Sequence, residues 1–226
     1  MSGIAVFDVN ETTLDLAPVR AVVDDLVPDE GGTRAWFARL LQLSMTVTAV
    51  GTSAETDFGS LARQALVAVA ATGGPDRAAA IDDGALARLG EAMGQLPPHP
   101  DVVAGLDRLR DGGWRLVALT NSAPAAVTGQ LERAGLAPRF EHILSVAEVG
   151  RFKPAPEPYR HAAAVLGVAP SELWMVASHD WDLAGAKAVG MSTAFVDRPG
   201  QSWSPTFPAP DLTVADFGEL ADRLTA

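Results

Sequence analysis

Three polar clusters and one lysine-bearing loop are where this sequence of 226 residues places its chemistry. Asp8 directly follows the apolar run Ile4, Ala5, Val6 and Phe7 and opens the stretch Asp8-Val9-Asn10-Glu11-Thr12-Thr13. Thr120-Asn121-Ser122 follows a second apolar run at 115–119, and Ser178-His179-Asp180-Trp181-Asp182 follows a third at 173–177. Lys153 falls between these last two clusters, in the loop Arg151-Phe152-Lys153-Pro154. A carboxylate is a weak nucleophile unless it is oriented and partly desolvated, and cation and hydroxyl partners shielded from water supply that arrangement. Asp8 with Lys153 as its partner therefore points to nucleophilic catalysis by a carboxylate. There are no cysteines, which excludes thiolate catalysis, disulfide staples and cysteine-ligated metal sites.

Such residues act together only if strand ends bring them together. The runs at 4–7, 115–119 (RLVAL), 173–177 (LWMVA) and 193–196 (TAFV) read as buried strands. Helical patterns at 101–111, 123–134, 157–166 and 182–188 lie among them. Strand alternating with helix argues for an α/β fold with a doubly wound parallel sheet. Ligands bind such sheets in a crevice at the carboxyl ends of the strands, so the polar clusters form one site.

The stretch from about residue 18 to 96 breaks that rhythm, with several helical patterns and no convincing strand. Thr33 is expected to cap a helix in which Trp36, Phe37, Leu40 and Leu41 form an apolar stripe, with Arg39 and Leu43 on an adjoining face. Asp57 is expected to cap a second, carrying Phe58, Leu61, Ala65, Leu66 and Val69, and a third covers 83–93. The breaker run Leu96-Pro97-Pro98-His99-Pro100 returns the chain to the core. The expected organisation is a catalytic core of residues 1–16 and 97–226 with an inserted α-helical cap at 17–96. Residues 198–210 read as a Pro-rich surface loop before a final helix near 217–224.

The chain is long enough to bury a sizeable core. A net charge of -11 opposes the clustered basic surface of a nucleic-acid binder. It leaves room for a small anionic substrate held by a few local cations, because distant surface charge is screened within about 10 Å. No apolar run approaches the roughly 20 residues that span a bilayer. The opening MSGIAVFDVN lacks the basic start and cleavage site of a secretory signal, so a cytoplasmic location is expected. No G-x-G-x-x-G follows the first strand, which counts against a dinucleotide-binding oxidoreductase.

The segments FDVNETTLD, LTNSAP, RFKPAPEPY and HDWDLAGAKAVG resemble, in order and spacing, the four motifs of the haloacid dehalogenase superfamily, over nearly the whole chain. The resemblance implies a Rossmann-like core with a cap and a covalent aspartyl intermediate on Asp8. It implies that Thr120 and Asn121 hold substrate or carboxylate oxygens, that Lys153 neutralises charge around the nucleophile, and that Asp182 positions Lys153 or a hydrolytic water. Thr12, in the turn after Asp8, joins this catalytic set. Most phosphatases of the superfamily carry a second Asp two residues after the nucleophile as general acid, and bind Mg²⁺ through the first Asp and a motif-four carboxylate. This chain has Asn10 in that position, which cannot donate and regain a proton. A halide needs no protonation to leave, because its conjugate acid is strong.

Other positions resemble the L-2-haloacid dehalogenase branch. Arg39 matches its arginine near the halide, with Leu43 one turn on, Phe58 and Trp181 match aromatic residues of its halogen cradle, and Tyr159 matches a site position. The implied activity is metal- and cofactor-independent dehalogenation of short 2-haloalkanoic acids. Asp8 attacks the carbon from behind, halide leaves with inversion, and hydrolysis of the ester gives a 2-hydroxy acid.

The chain also departs from that branch. Asn10 and Glu11 replace an aromatic residue and a glycine after the nucleophile, and Ala177 and His179 replace a serine and an asparagine in motif four. His179 is read as a base that helps activate the second-step water, oriented by Asp180. Glu11 is expected to be exposed. Two other readings stay open: a Mg²⁺-dependent phosphatase using Asp8 and Asp182, and a binding protein that keeps the fold without the chemistry. Thr120 and Asn121 also suit capping of the helix that follows them. The expected partners are a small 2-haloacid, halide and a second copy of the chain, with no nucleic acid and no membrane.

Overall fold

The structure, a computed structural model, describes residues 3–28 and 31–226. Among these residues six strands form one sheet in the order β3-β2-β1-β4-β5-β6. They are β1 Ile4–Phe7, β2 Arg115–Thr120, β3 His142–Ser145, β4 Leu173–Ala177, β5 Ser192–Val196 and β6 Leu212–Val214. Every neighbouring pair is parallel, so the core is the doubly wound α/β sheet that the strand and helix alternation indicates. β1 lies between β2 and β4, where the direction of winding reverses; this is the switch point at which open parallel sheets bind ligands. All four of its residues are buried, which is why it reads as an uninterrupted apolar run. The two outermost strands, β3 and β6, escape the sequence pattern. Each has only part of its length buried, and Thr213 of β6 is exposed, so neither shows a continuous apolar signature.

The helices α6 Val102–Asp111, α7 Pro124–Arg133, α8 Pro156–Leu166, α9 Asp180–Ala188 and α10 Phe217–Thr225 complete this part of the chain. Proline at the start of α7 and α8 suits a position whose N–H has no partner inside the helix. Asp216 caps α10 by accepting the Glu219 N–H at 2.8 Å. Leu119, Tyr159, Met175, Leu183 and Phe195 belong to the buried cluster at the sheet. α9 packs so closely that a Cβ on Gly185 would come 2.6 Å from the Pro154 carbonyl oxygen and 2.8 Å from the Tyr159 hydroxyl oxygen. That contact requires glycine.

The expected surface loop at 198–210 is corrected at two residues. Arg198 is buried, and Trp203 is partly buried and edge-on to Phe195, with ring centroids 5.5 Å apart. An arginine in a Pro-rich stretch is ordinarily exposed. This one is held inside by acceptors from elsewhere in the chain, described below.

The chain divides into two compact units, Met1–Asp15 with Pro97–Ala226, and Leu16–Leu96. The second contains, among the described residues, the α-helices α1 Ala17–Leu26, α2 Gly32–Val50, α3 Phe58–Thr72, α4 Pro75–Ala79 and α5 Asp83–Gly94. Trp36 and Leu40 of the apolar stripe are buried, and the Trp36 indole donates to the Ala62 carbonyl at 2.9 Å, tying α2 to α3. Asp57 caps α3 by accepting the Ser60 N–H at 2.8 Å. Thr33 does not cap α2: the helix begins at Gly32, with Gly31 in the left-handed region at its N-cap. Thr33 therefore lies inside the first turn, past the capping position, and its hydroxyl donates to Asp24 of α1 at 2.7 Å. α1 and α4 are additional to the three helices apparent in the sequence. Among the described residues no helix is long and apolar enough to cross a membrane.

Candidate active site

Asp8 extends the first strand by one residue, its N–H donating to the Val176 carbonyl at 3.0 Å, so its side chain stands at the carboxyl end of the sheet's central strand. The chain then turns sharply. The N–H groups of Thr13 and Leu14 both donate to the Val9 carbonyl at 2.9 Å, which folds Thr12 back onto Asp8. The Thr12 hydroxyl donates to Asp8 Oδ2 at 2.7 Å and accepts the Ser178 N–H at 2.9 Å. Because the one hydroxyl hydrogen of Thr12 goes to Asp8, Ser178 Oγ is the donor in the 3.1 Å contact between the two hydroxyls.

Asp8 Oδ1 accepts from Lys153 Nζ at 2.8 Å. Lys153 is 1% exposed, and its other two donors go to Asp182 Oδ2 at 2.6 Å and the Leu119 carbonyl at 3.1 Å. Three hydrogens meet three acceptors, so no part of this buried ammonium is unsatisfied. Burial alone lowers the Lys153 pKa; the charges of Asp182 and Asp8 outweigh it and raise the value above the ordinary lysine range. For Asp182 burial pushes the carboxyl upward, Lys153 pulls it down and Asp8 pushes it up again, leaving it raised. Tyr159 donates to Asp182 Oδ1 at 2.6 Å. Burial and the adjacent Asp182 carboxylate hold the phenol well above its usual pKa, so it serves as a permanent donor.

Asn121 Oδ1 accepts the Lys153 N–H at 3.0 Å, fixing the lysine loop against the second strand end. Thr120 Oγ1 accepts the Ser122 N–H at 3.1 Å. Neither residue caps α7, whose N-cap is Ala123 with no side-chain bond, so the capping role is set aside. Asn10 donates to Ser122 Oγ at 3.3 Å, and its own Oδ1 is buried without a partner.

His179 is buried, with Nε2 3.5 Å from Glu11 Oε2 and its ring stacked on Trp181 at a centroid distance of 5.3 Å. Two expectations are corrected here. Asp180 does not orient His179: its oxygens accept the backbone N–H groups of Trp181 at 2.7 Å and Ser204 at 3.1 Å. Glu11 is not exposed; its side chain retains 18% accessibility and also accepts from Gln201 at 3.3 Å.

Asp8, Thr12, Thr120, Asn121, Lys153, Tyr159, His179, Trp181 and Asp182 thus all lie in the sheet-bearing unit. Tyr159 is fully buried beneath Asp182, and its hydroxyl serves that carboxylate instead of a substrate. Arg39, Leu43 and Phe58 lie in the helical unit. Within it Arg39 donates to Gln42 at 2.7 Å, Leu43 is partly buried on α2, and Phe58 is buried at the start of α3.

Sequence reasoning missed two residues that touch this framework. Ser178 lies inside a quoted motif, and only its contact with Thr12 reveals its part. Arg198 carries no sequence signal. Its guanidinium donates to the Thr12 carbonyl at 3.0 and 3.3 Å and to Asp101 at 2.8 Å, and stacks over the Phe217 ring. Burial would raise the Asp101 carboxyl, but hydrogen bonds from Arg198 and from the Phe217 N–H at 2.8 Å hold it below its ordinary value.

The residues do not favour a divalent cation: Asp8 and Asp182 already share one cation between them, the buried Lys153 ammonium, and an amide stands at position 10. Among the described residues no cluster of three His, Cys, Asp or Glu is arranged to hold a metal.

Comparison with known proteins places this geometry in a family. The model of haloacid dehalogenase-like hydrolases matches residues 4–190. (S)-2-haloacid dehalogenase 1 of Pseudomonas sp. (strain CBS-3) is 31% identical over 225 residues, covering 97% of this chain and 95% of that protein. Phosphoserine phosphatase of Thermus thermophilus is 32% identical over 243 residues, covering 96% and 97%. The solved structure of L-2-haloacid dehalogenase from Xanthobacter autotrophicus, with chloropropionic acid covalently bound, matches with a TM-score of 0.87 and 28% identity, covering 99% of this chain and 98% of that one. With its motifs at the ends of a doubly wound parallel sheet and a family match running from the first strand past the fourth, the chain belongs to the haloacid dehalogenase-like hydrolases.

Proposed function

We propose that this protein is a hydrolytic dehalogenase of short 2-haloalkanoic acids that forms an ester on Asp8. One observation carries the reading. The buried Asp8 carboxylate has each oxygen held by a single donor, Lys153 on one and Thr12 on the other, beside an amide at Asn10 instead of an acid. One hydrogen bond per oxygen orients the group and leaves lone pairs for attack on carbon. Asn10 has no proton to give a phosphate ester's leaving oxygen, whereas halide departs without one. The dehalogenases among the relatives, one with a covalent chloropropionic acid adduct, support the same chemistry.

In the first step Asp8 displaces halide from C2 of the haloacid, inverting that carbon. Attack discharges Asp8, leaving the Lys153 ammonium opposite Asp182 alone, so the buried group of two carboxylates and one ammonium loses its surplus negative charge. The substrate carboxylate is held by the Thr120 hydroxyl, the Asn121 amide and backbone N–H groups at the start of α7. In the second step water attacks the Asp8 ester carbonyl and releases the 2-hydroxy acid. Contacts to substrate and halide by Arg39, Leu43, Phe58 and Trp181 belong to this proposal, and Arg39→Met is expected to raise KM. A cytoplasmic location, checked by fractionation, and a homodimer, checked by sedimentation, complete it.

The test is chloride release from L- and D-2-chloropropionate in EDTA, with Asp8→Asn as control. Release from the L substrate alone, lost in the variant, is the expected result. A phosphatase is the second reading, favoured by the identity to phosphoserine phosphatase. Mg²⁺-dependent hydrolysis of p-nitrophenyl phosphate without any halide release would overturn the dehalogenase.

A further inference from the structure

Two of the departures from the L-2-haloacid dehalogenase pattern, Glu11 and His179, lie far apart in sequence and meet in space, with Oε2 and Nε2 3.5 Å apart. Glu11 is the one non-glycine residue with positive φ among the described residues, at 64°. A glycine would hold that left-handed conformation without strain, so a glutamate there needs compensation. Its carboxylate is directed inward, where it meets His179 and also accepts from Gln201 at 3.3 Å. Its carbonyl accepts from the His99 ring at 3.0 Å, and its N–H donates to Leu14 O at 2.8 Å.

The pair flanks the nucleophile's own clamp. Glu11 immediately precedes Thr12 and His179 immediately follows Ser178, and the Thr12 hydroxyl joins Asp8 to the Ser178 N–H. The other ionisable groups near Asp8 are poorly suited to take a proton from water. Lys153 is held in its charged form with all three hydrogens engaged. Asp182 has one oxygen on Lys153 and the other on Tyr159. Asp180, beside His179, is engaged with two backbone N–H groups. An imidazole accepts and returns protons near neutral pH, and a carboxylate facing one ring nitrogen fixes the hydrogen there and the lone pair on the other.

We propose that Glu11 and His179 form a carboxylate–imidazole pair serving hydrolysis of the Asp8 ester, with His179 as general base and Glu11 as its positioning residue. The inference rests on the dehalogenase reading above. Nε2–H faces Glu11, and Nδ1 takes a proton from water as its oxygen bonds to the Asp8 carbonyl carbon. The tetrahedral centre then breaks its bond to the ester oxygen, and the departing alkoxide of the 2-hydroxy acid takes the proton back from His179. Asp8 is left as a carboxylic acid holding one oxygen from water, and its proton leaves to solvent. At 3.5 Å the neutral imidazole and the carboxylate stand just beyond full hydrogen-bond distance, as catalytic hydrogen bonds often do before substrate binds.

The experiment is rapid-quench measurement of chloride and 2-hydroxy acid from L-2-chloropropionate, with intact-mass detection of the Asp8 adduct, in the wild type, His179→Ala, Glu11→Gln and Glu11→Gly. The variants are expected to give a chloride burst of one equivalent at the wild-type rate, to accumulate the adduct, and to turn over about a hundredfold more slowly. Glu11→Gly relieves the backbone strain, so its Tm is expected to equal or exceed that of the wild type while turnover still falls. A merely structural glutamate would leave turnover unchanged. Chloride and product released in step in either Glu11 variant, with no adduct, would overturn the pair and leave the dehalogenase reading intact. A wild type that releases no chloride would overturn both.

Discussion

The hydroxyl of Tyr159 meets Oδ1 of Asp182 at 2.6 Å, and both residues are shut away from solvent. Tyr159→Phe leaves a buried carboxylate oxygen without its donor, a loss of about 1.5–3 kcal/mol. Tm is expected to fall. The Asp182 carboxyl, already raised chiefly by burial, rises further when its anion loses this bond, so the acid limb of the kcat profile moves to higher pH. KM is expected to change little, because Tyr159 serves Asp182 and not the ligand. A pH–rate profile of the variant checks both.

Gly185→Ala tests the closeness of α9 to the lysine loop. The added methyl meets the Pro154 carbonyl oxygen and the Tyr159 hydroxyl oxygen at distances real side chains do not adopt. Overpacking of this kind costs about 1–3 kcal/mol. Because the displaced atoms flank Lys153 and Asp182, activity is expected to fall even where the variant is fully folded. Denaturant unfolding together with turnover at low temperature separates the two effects.

Arg198→Ala removes the donors on the Thr12 carbonyl and leaves Asp101 without its cation. Breaking a buried pair costs about 3–5 kcal/mol; the Asp101 side chain is 21% exposed, which places this loss at the low end. The folded pKa of Asp101 lies below its unfolded value, so its stabilisation is present above the ordinary aspartate range and is lost as pH falls through the folded value. The wild type is therefore expected to lose Tm more steeply below about pH 4 than Asp101→Asn does. Thermal unfolding across an acid pH series measures the difference.

Lys153→Met is expected to abolish halide release and lower Tm at neutral pH by leaving two buried carboxylates face to face. The folded pKa of Lys153 is raised, so its stabilising effect is complete below the ordinary lysine value and disappears as pH rises through the folded one. The wild type should lose Tm above about pH 10.4, and the variant should lack that component. An alkaline pH series of Tm values checks the sign.

Much of the site is readable in sequence because its chemistry is written contiguously, directly after buried strands. Asp8, Thr120, Asn121 and Asp182 all announce themselves in this way. Contacts made only through tertiary folding leave no such trace. Arg198 reaches Thr12 across 186 positions, and nothing in a Pro-rich stretch marks it. Adjacency misled for His179, since neighbouring residues entering a helix point in different directions, and Asp180 turns to backbone N–H groups while Glu11 supplies the partner. Thr33 failed as a cap because the helix starts before it, at Gly32 with Gly31 in the left-handed region, which the polar residue pattern does not mark. The outer strands β3 and β6 were silent because too little of each is covered to enforce an apolar run.

The central position of β1 also governs when this protein can work during its own manufacture. β1, whose end carries Asp8, is made before both of its neighbours, which span Arg115–Thr120 and Leu173–Ala177. Until the latter has emerged β1 is covered on one edge only, and the ammonium of Lys153 lacks its second counter-ion, Asp182. Sheets closed by such distant partners form late and as a unit. The clamp around Asp8 therefore cannot close until the fourth strand has been made, and translation halted before that strand yields a product without the assembled site.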